Sequence, residues 1–216
     1  MKWIFANWKM HFSLNEADNF CDTLDKNKNL IIAPPIIYLS YLALKYKNKH
    51  AFASQDITDS ASQEGKYTGE VSAMMLKSIN INYSLIGHLE RRKKENQDCI
   101  KAKIEHCLNY GITPIVCINN LNEITLIPKT KHTVFIAYEP HYAVGSGESA
   151  NKQEIIKFVD CFKNILEKNY YLLYGGSVDA KNLSRILSIV DGVLVGRAAL
   201  NIGELKQIIS IRDLLC

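Results

Sequence analysis

One carboxylate, Glu139, stands where acid–base chemistry is easiest to place in this chain. It follows the short apolar run 133–138 and precedes Pro140 and a loop with glycines at positions 145 and 147. The run is rich in β-forming residues, which predicts a buried parallel strand. In parallel α/β folds the C-terminal ends of the strands carry the functional groups. Glu139 is therefore a candidate general base; the alternative is a glutamate that caps the next helix or faces solvent.

Polar residues and glycines also follow other apolar runs, and each could be structural if taken alone. They are Asn7, Lys9, Gln55, Asp56, His88, Glu90, Gly175, Gly176, Ser177, Gly196 and Arg197. A lone histidine is more often a hydrogen-bonded core residue than a catalytic group. A carboxylate, an imidazole and an ammonium at one rim would instead form a site for proton transfer and charge stabilisation.

Eight short apolar runs could bring these residues together. The runs are Trp3–Ala6, Leu30–Ala33, Ala51–Ala53, Tyr83–Ile86, Thr113–Ile118, Thr133–Tyr138, Tyr171–Tyr174 and Gly192–Val195. Most intervals between them carry apolar residues at helical spacing, such as Ile100, Ile104 and Leu108. This alternation predicts an α/β fold, a closed (β/α)8 barrel rather than an open sheet. No linker interrupts the chain, so we expect one domain over residues 1–216.

The interval between Ile118 and Thr133 is the weakest part of this pattern. Its only helical candidate is the segment 121–127, one or two turns that end before Pro128. The wall of the barrel is therefore expected to be thin on this side.

The composition argues against several classes of function. Of the 216 residues, 47% are hydrophobic, which is enough to bury a large core, and the net charge of +4 is too small to mark a nucleic-acid binder. The six cysteines form no CxxC pair and are expected to be reduced thiols. No signal-peptide pattern is seen, and no apolar stretch approaches the roughly 20 residues that cross a bilayer. We expect a soluble, cytoplasmic protein that binds neither nucleic acid nor membrane.

Several segments, taken together, resemble signature segments of the triosephosphate isomerase family. They are ANWKM at 6–10, APPIIYL at 33–39, YTGEVSA at 67–73, GHLERR at 87–92, AYEP at 137–140, YGGSV at 174–178 and DGVLVG at 191–196. They occur in the family's order over nearly the whole chain. The resemblance implies a TIM barrel that interconverts dihydroxyacetone phosphate and glyceraldehyde 3-phosphate through an enediolate, in glycolysis and gluconeogenesis. It also implies that no cofactor or metal takes part.

The same resemblance implies a role for each matching residue. Glu139 would take the proton, neutral His88 and Lys9 would stabilise the developing oxyanion, and Asn7 would lie near the substrate oxygens. The phosphate would lie on the backbone amides of a separate group of residues. That group is Gly145, Ser177, Gly196 and Arg197, beside Gly175 and Gly176. Residues 140–150 would form a lid that excludes water.

Four residues depart from the family's pattern. Leu89 stands where the family usually has a serine, whose hydroxyl partners the base in the empty site. Tyr142 replaces the lid's usual tryptophan and Asn120 replaces a glutamate, two side chains that hydrogen-bond to each other in the family. Arg197 replaces the second glycine of the phosphate site. The chain is also shorter than usual between the fifth and sixth strands, which predicts exposed apolar surface there.

The loss of the hydroxyl at position 89 carries its own expectation for the base. Glu139 should lie near its catalytic orientation in the empty site, or it should use another donor. The candidates for that donor are a water, Lys9 and His88. Glu90, Leu89, Tyr142 and Thr68 are assigned supporting roles.

The loop from Asp56 to Ser72 has no helical periodicity and is long for a compact barrel, which favours a functional role over a plain surface loop. It resembles the loop through which the family dimerises, and Thr68 would reach the partner's active site. We therefore expect a homodimer.

Three other functions remain open at this stage. The nearest is another phosphosugar barrel such as an epimerase, although the chain has no His/Asp cluster with metal-ligand spacing. Residues 145–150 match the dinucleotide pattern G-x-G-x-x-A, but residues 140–144 separate them from the strand. The third is a barrel that binds a triose phosphate without turning it over.

Overall fold

The eight predicted strands form one closed parallel barrel in a computed structural model that describes residues 2–144, 149–163 and 169–215. The strands pair in sequence order, and β8 closes the barrel on β1. Their bounds are β1 Trp3–Asn7, β2 Leu30–Ala33, β3 Ala51–Ser54, β4 Tyr83–Ile86, β5 Thr113–Ile118, β6 Val134–Tyr138, β7 Tyr170–Tyr174 and β8 Gly192–Val195. The predicted (β/α)8 fold is confirmed.

Helices of unequal length surround the barrel. They are α1 Leu14–Thr23, α2 Ile36–Lys45, α3 Ala73–Ser78, α4 Gln97–Asn109, α5 Lys152–Lys163, α6 Leu183–Leu187 and α7 Ile202–Asp213. Several begin at polar residues that satisfy their first backbone N–H groups. Ser13 and Glu16 form a capping box at α1, and the side chains of Ser72, Asn96 and Asn201 cap α3, α4 and α7.

The strands are apolar on both faces because each face meets its own core. On β1, Ile4 and Ala6 pack outward against the helices, whereas Phe5 points into the barrel. The barrel's N-terminal half is filled by aromatic rings. Phe135 packs edge-on against Phe5 and Trp3, with ring centroids 4.8 and 5.3 Å apart, and stacks on Tyr171 at 5.2 Å. This packing leaves the open cavity at the opposite end.

The thin wall between β5 and β6 is a 3-10 helix, Leu121–Leu126, instead of an α-helix. Arg92 fastens it to the barrel by an ion pair with Glu123 at 2.9 Å and by hydrogen bonds to the carbonyl oxygens of Gly87 and Cys117. Leu126 is buried and Leu121 is 39% exposed. The expectation of exposed apolar surface on this side therefore holds only for Leu121 among the large side chains of residues 119–133.

Candidate active site

The C-terminal ends of the strands surround a cavity of about 550 Å³. Most of the residues singled out from the sequence line it: Asn7, Lys9, His88, Glu90, Glu139, Gly175, Gly176, Ser177, Gly196 and Arg197. Leu89, Tyr142 and Thr68 are not among its lining residues, and Gly145 lies outside the described part of the chain. The barrel therefore places the candidate base, imidazole and ammonium at one cavity.

Glu139 is held rigidly and is almost fully buried. Its backbone N–H bonds the carbonyl of Ile118 on β5 at 2.8 Å, and its side chain is 1% exposed. A Cβ on Gly175 would lie only 2.8 Å from the Cγ of Glu139, so a glycine is needed there. Burial is the main cause that raises the carboxyl pKa, to about 7. Such a group can accept a proton at neutral pH and release it again.

The surroundings of the Glu139 carboxylate bear on the expectation that it uses another donor in place of a hydroxyl at position 89. The backbone amide of Leu89, the charge of Lys9 and the thiol of Cys117 oppose the rise in pKa, whereas Oε2 has no hydrogen-bond partner of normal geometry among the described residues. Lys9, one of the expected donors, lies with its ammonium on Glu90 instead. The backbone amide of Leu89 therefore lowers the carboxyl pKa, although the Leu89 side chain has no hydroxyl.

His88 is buried with a defined tautomer. The backbone N–H of Glu90 donates to Nδ1 at 3.3 Å, so Nδ1 must accept and the proton of the neutral ring is on Nε2. That Nε2 lies 3.5 Å from Oε1 of Glu139. Burial, followed by the charge of Lys9, lowers the imidazole pKa to about 4. His88 is therefore neutral near pH 7 and presents an N–H donor to the cavity.

Lys9 has an unusual backbone conformation for a non-glycine residue, with φ of 50°. Its backbone N–H bonds Oδ1 of buried Asn7 at 3.0 Å, and its carbonyl accepts the amide of Gln55 at 2.8 Å. Its Nζ lies 2.7 Å from Oε1 of Glu90. These contacts fix the backbone of Lys9, and Glu90 holds its ammonium at the edge of the cavity.

The glycines after β7 make room for the loop beside them. A Cβ on Gly176 would lie 2.2 Å from the hydroxyl of Tyr174, and that hydroxyl accepts the N–H of Ala150 at 2.6 Å. The backbone N–H of Ser177, expected to bind phosphate, donates here to the carbonyl of Ala143 at 3.1 Å, and its Oγ does so at 2.8 Å. In this structure the amide of Ser177 is therefore hydrogen-bonded to the lid flank instead of being available to bind phosphate.

Gly196 and Arg197 stand at the rim after β8. Gly196 precedes the 3-10 helix Arg197–Leu200, and a Cβ placed on it would be 3.8 Å from Cε of Lys9. Arg197 is exposed and lines the same cavity as Lys9 and Glu139. This rim therefore carries a positive side chain beside the position expected for the phosphate.

Tyr142 and Asn120, which replace two side chains that hydrogen-bond to each other in the family, do not bond each other here. Tyr142 is 53% exposed, and its hydroxyl donates to Oε2 of Glu154 at 2.7 Å. The Asn120 side chain instead accepts the N–H of Asn122 at the start of its own 3-10 helix. The lid's contact has therefore moved from the barrel wall to α5.

Sequence reasoning missed two residues at the site. Cys117 on β5 is paired in register with Ala137, two residues before Glu139, and its thiol lies against the carboxylate. The signal for it was present, since alternate residues of a barrel strand point inward. His11 also lines the cavity. It lies beyond the end of β1, so no strand periodicity pointed to it.

The fold and the cavity together define a class: a (β/α)8 barrel whose cavity at the C-terminal ends of the strands holds a buried carboxylate beside a neutral imidazole and an ammonium. A family profile described as triosephosphate isomerase matches residues 2–212. The chain belongs to the triosephosphate isomerase family.

Curated relatives named triosephosphate isomerase match over nearly their whole length. The one from Orientia tsutsugamushi (strain Ikeda) is 38% identical over 239 aligned residues, covering 95% of this chain and 96% of the relative. The one from Dictyoglomus thermophilum is 33% identical, covering 92% and 94%. The one from Wolbachia pipientis wMel is 31% identical, covering 95% and 92%. The resemblance read from the short segments is thus confirmed.

Two features are absent from the described residues. None of the helices there has the length and apolar character needed to span a membrane. Within the same residues, no group of three or more His, Cys, Asp and Glu side chains is arranged to hold a metal ion.

Proposed function

We propose that this protein interconverts dihydroxyacetone phosphate and D-glyceraldehyde 3-phosphate, a reaction of glycolysis and gluconeogenesis. The observation that carries the proposal is the contact between the neutral imidazole of His88 and the buried carboxylate of Glu139, 3.5 Å apart. A base and a hydrogen-bond donor that meet at one point suit the removal of a proton next to a carbonyl group. Membership of the family supports the identity of the substrate.

The proton is carried by Glu139. The C–H bond next to the carbonyl breaks, its electron pair forms the enediolate, and the proton goes to the carboxylate. The hydroxyl proton passes to the former carbonyl oxygen, and the same carboxyl group returns a proton to the neighbouring carbon, which completes the isomerisation and regenerates the base. A carboxyl pKa of about 7 suits both the removal and the return of the proton, because the protonated and ionised forms have similar free energies near neutral pH.

Residues on the other side of the site stabilise the negative charge that develops on the substrate oxygen. Nε2–H of His88 donates to the oxygen on which charge develops, since Nδ1 is already occupied by the N–H of Glu90. The Lys9 ammonium adds a positive charge at the edge of the cavity, and Asn7 fixes its backbone. Because these donors are in place before substrate binds, little reorganisation is needed during the reaction.

The phosphate would lie toward Gly175, Gly176, Gly196 and Arg197, with the amide of Ser177 joining after it releases Ala143. Residues 140–150 would close over it and exclude water, and Gly145 would supply an amide. Such a lid protects the enediolate, which can otherwise expel its phosphate.

We also propose that two copies of the chain associate through the loop 56–72. The loop is closed at its base by a hydrogen bond from Thr58 to Val71 at 2.9 Å, and Tyr67 and Thr68 are exposed near its tip. A second cavity of about 360 Å³ lies beside the first and includes Met10, which is 95% exposed. The tip of one loop would enter this cavity of the partner and bring Thr68 near the partner's Lys9.

Association can be tested by sedimentation with a matched variant. Thr68→Arg places a bulky charge at the tip and should give a monomer with reduced activity, while Lys66→Ala, at another exposed residue of the same loop, should remain dimeric. A wild-type chain that stays monomeric at micromolar concentration with full activity would contradict the dimer.

The activity is tested most directly by a coupled assay. Wild-type protein with D-glyceraldehyde 3-phosphate should produce dihydroxyacetone phosphate, and Glu139→Gln should not do so at a comparable rate. Binding of the substrate without turnover would favour the alternative of a triose-phosphate-binding relative, and turnover of a different phosphosugar would favour an epimerase-type barrel. The single domain and the cytoplasmic location remain predictions.

A further inference from the structure

One side-chain hydrogen bond joins the two described flanks of the lid loop. The hydroxyl of Tyr142, before the middle of the lid, donates to Oε2 of Glu154 at 2.7 Å. Glu154 lies in the first turn of α5, and the same oxygen accepts the backbone N–H of Asn151 at 3.1 Å. Oδ1 of Asn151 accepts the N–H of Glu154 at 3.0 Å in return. The carboxylate of Glu154 therefore connects one flank of the lid to the capped helix at the other.

This connection is unlike the one expected for the family. There the lid residue at this position pairs with a glutamate on the barrel wall, but Asn120 stands at that place and bonds its own 3-10 helix. The contact of Tyr142 is made with a residue that follows the lid in sequence. A hydrogen bond to a carboxylate is charge-assisted and stronger than one between neutral groups.

We propose that Tyr142 and Glu154 act as a clasp that makes the two lid flanks move as one unit, with Glu154 as a positioning residue for closure over the reacting enediolate. The proposal rests on the proposed isomerase function. Each flank also has its own hydrogen bond to the barrel. The carbonyl of Ala143 accepts from the hydroxyl of Ser177, and the N–H of Ala150 donates to the hydroxyl of Tyr174. Partial burial and the nearby carboxylate raise the pKa of Tyr142, so its hydroxyl stays protonated at neutral pH.

The chemistry gives this clasp a specific signature. When the lid fails to enclose the enediolate, the C–O bond to the phosphate breaks, and inorganic phosphate leaves with the bonding electrons. The organic product is a 2-oxoaldehyde, formed after a proton is taken up from water. Loss of the clasp should therefore raise phosphate release relative to isomerisation, whereas simple loss of folded protein would lower both equally.

The test compares phosphate release per isomerisation in wild-type and variant proteins. Tyr142→Phe and Glu154→Ala should each raise the ratio about tenfold, and the double variant should do no more than either alone. Glu154→Gln should recover much of the loss because its amide oxygen can accept from Tyr142. Two controls should leave the ratio near wild type: Tyr41→Phe, which removes an exposed hydroxyl on α2, and Asn151→Ala, which weakens only the helix cap.

Amide hydrogen exchange of the substrate-free protein gives a second readout that does not depend on activity. Tyr142→Phe, on one flank, should speed exchange of the peptide covering 149–154 on the other about tenfold. Unchanged exchange, or an unchanged ratio in a wild type that does isomerise, would overturn the clasp. An equal rise in Asn151→Ala would also overturn it by assigning the effect to the helix cap. An inactive wild type would instead count against the proposed function.

Discussion

The two ends of the barrel interior are lined by different kinds of side chain. At the N-terminal end, Phe135, Phe5 and Tyr171 fill the interior with rings in contact. At the C-terminal end, the interior is a cavity bordered by Lys9 and by the nearly inaccessible carboxylate of Glu139. In the part of the chain that the structure describes, one oxygen of that carboxylate lacks a hydrogen-bond partner of normal geometry. Rings that pack against each other stabilise the fold, whereas an incompletely paired buried charge costs stability.

Stability and reactivity are therefore separated along the strands. On β6, Phe135 belongs to the packed end, and Glu139 follows the last residue of the same strand. A strand of five residues is thus enough to carry a stabilising group at one end and hold a reactive one at the other. The separation predicts that substitutions at the two ends should damage different properties.

The largest effect should come from the base. Glu139→Gln keeps the shape but removes proton transfer, and it should lower kcat by on the order of 10²–10⁴. Its melting temperature should equal or exceed that of wild type, because a buried charge is removed. Coupled kinetics and calorimetry on the same preparation measure both. Near-normal turnover in the purified variant would remove Glu139 from the role of base.

Lys9→Met tests the charge at the same end. Loss of one group that stabilises the developing oxyanion typically costs on the order of 10²–10³ in rate. The fold should survive, since the Lys9 side chain is partly exposed and, among the described residues, forms its ion pair with exposed Glu90. Circular dichroism of the variant is the check: if it fails to fold, Lys9 is structural and the separation of the two ends breaks down.

Phe135→Ala tests the other end. It should destabilise the protein by about 3–5 kcal/mol because it opens a cavity among aromatic rings. The folded fraction should retain kcat within a few-fold of wild type, as measured by urea unfolding and by assay well below the melting temperature. A large fall in kcat at unchanged stability would show that the two ends are coupled.

The pH profile should report the buried carboxylate. Only the ionised form of Glu139 can accept the proton, so kcat/KM should fall about tenfold per pH unit below about 7 and level off above it. His88, with a pKa of about 4, stays neutral in this range. Glyceraldehyde without its phosphate is a control substrate, since the phosphate itself titrates near pH 6. A profile that is flat down to pH 5 would refute the raised pKa.

The smallest effect is expected at Leu89. Leu89→Ser adds a hydroxyl that can donate to the ionised carboxylate, which should shift the acid limb of the profile downward. The change in kcat/KM should stay below about tenfold, because the new bond acts on the empty site rather than on the transition state. A hundredfold gain would mean that the missing hydroxyl limits this enzyme.

The strands and their ends were predictable, because each strand is a short apolar run and most of these runs are followed by a polar residue or a glycine. Predicted and observed bounds agree to within a residue, as for the fifth strand, Thr113–Ile118. The convergence of Asn7, Lys9, His88 and Glu139 followed, since all lie at or just beyond strand ends and barrel closure leaves them little freedom. Local sequence determines these features.

Contacts between separate loops were not predictable. Nothing in the spacing of residues indicates that Tyr142 would bond Glu154, or that the amide of Ser177 would serve Ala143. Lys9, one of the expected donors to Glu139, bonds Glu90 instead, and the amide of Leu89, a group present at any residue type, lowers the carboxyl pKa. Such pairings depend on loop geometry, which the order of residue types does not specify.

The role of Arg92 has a consequence for mutational robustness. In a barrel with a full helix between β5 and β6, many small contacts would share the work of closing that side, and no single substitution would matter much. Here one guanidinium reaches the ends of two neighbouring strands and the 3-10 helix at once. In the shortened chain, sensitivity to substitution is therefore concentrated at one residue. The stretch between β5 and β6 should accept many changes in its own residues, but few should be accepted at position 92.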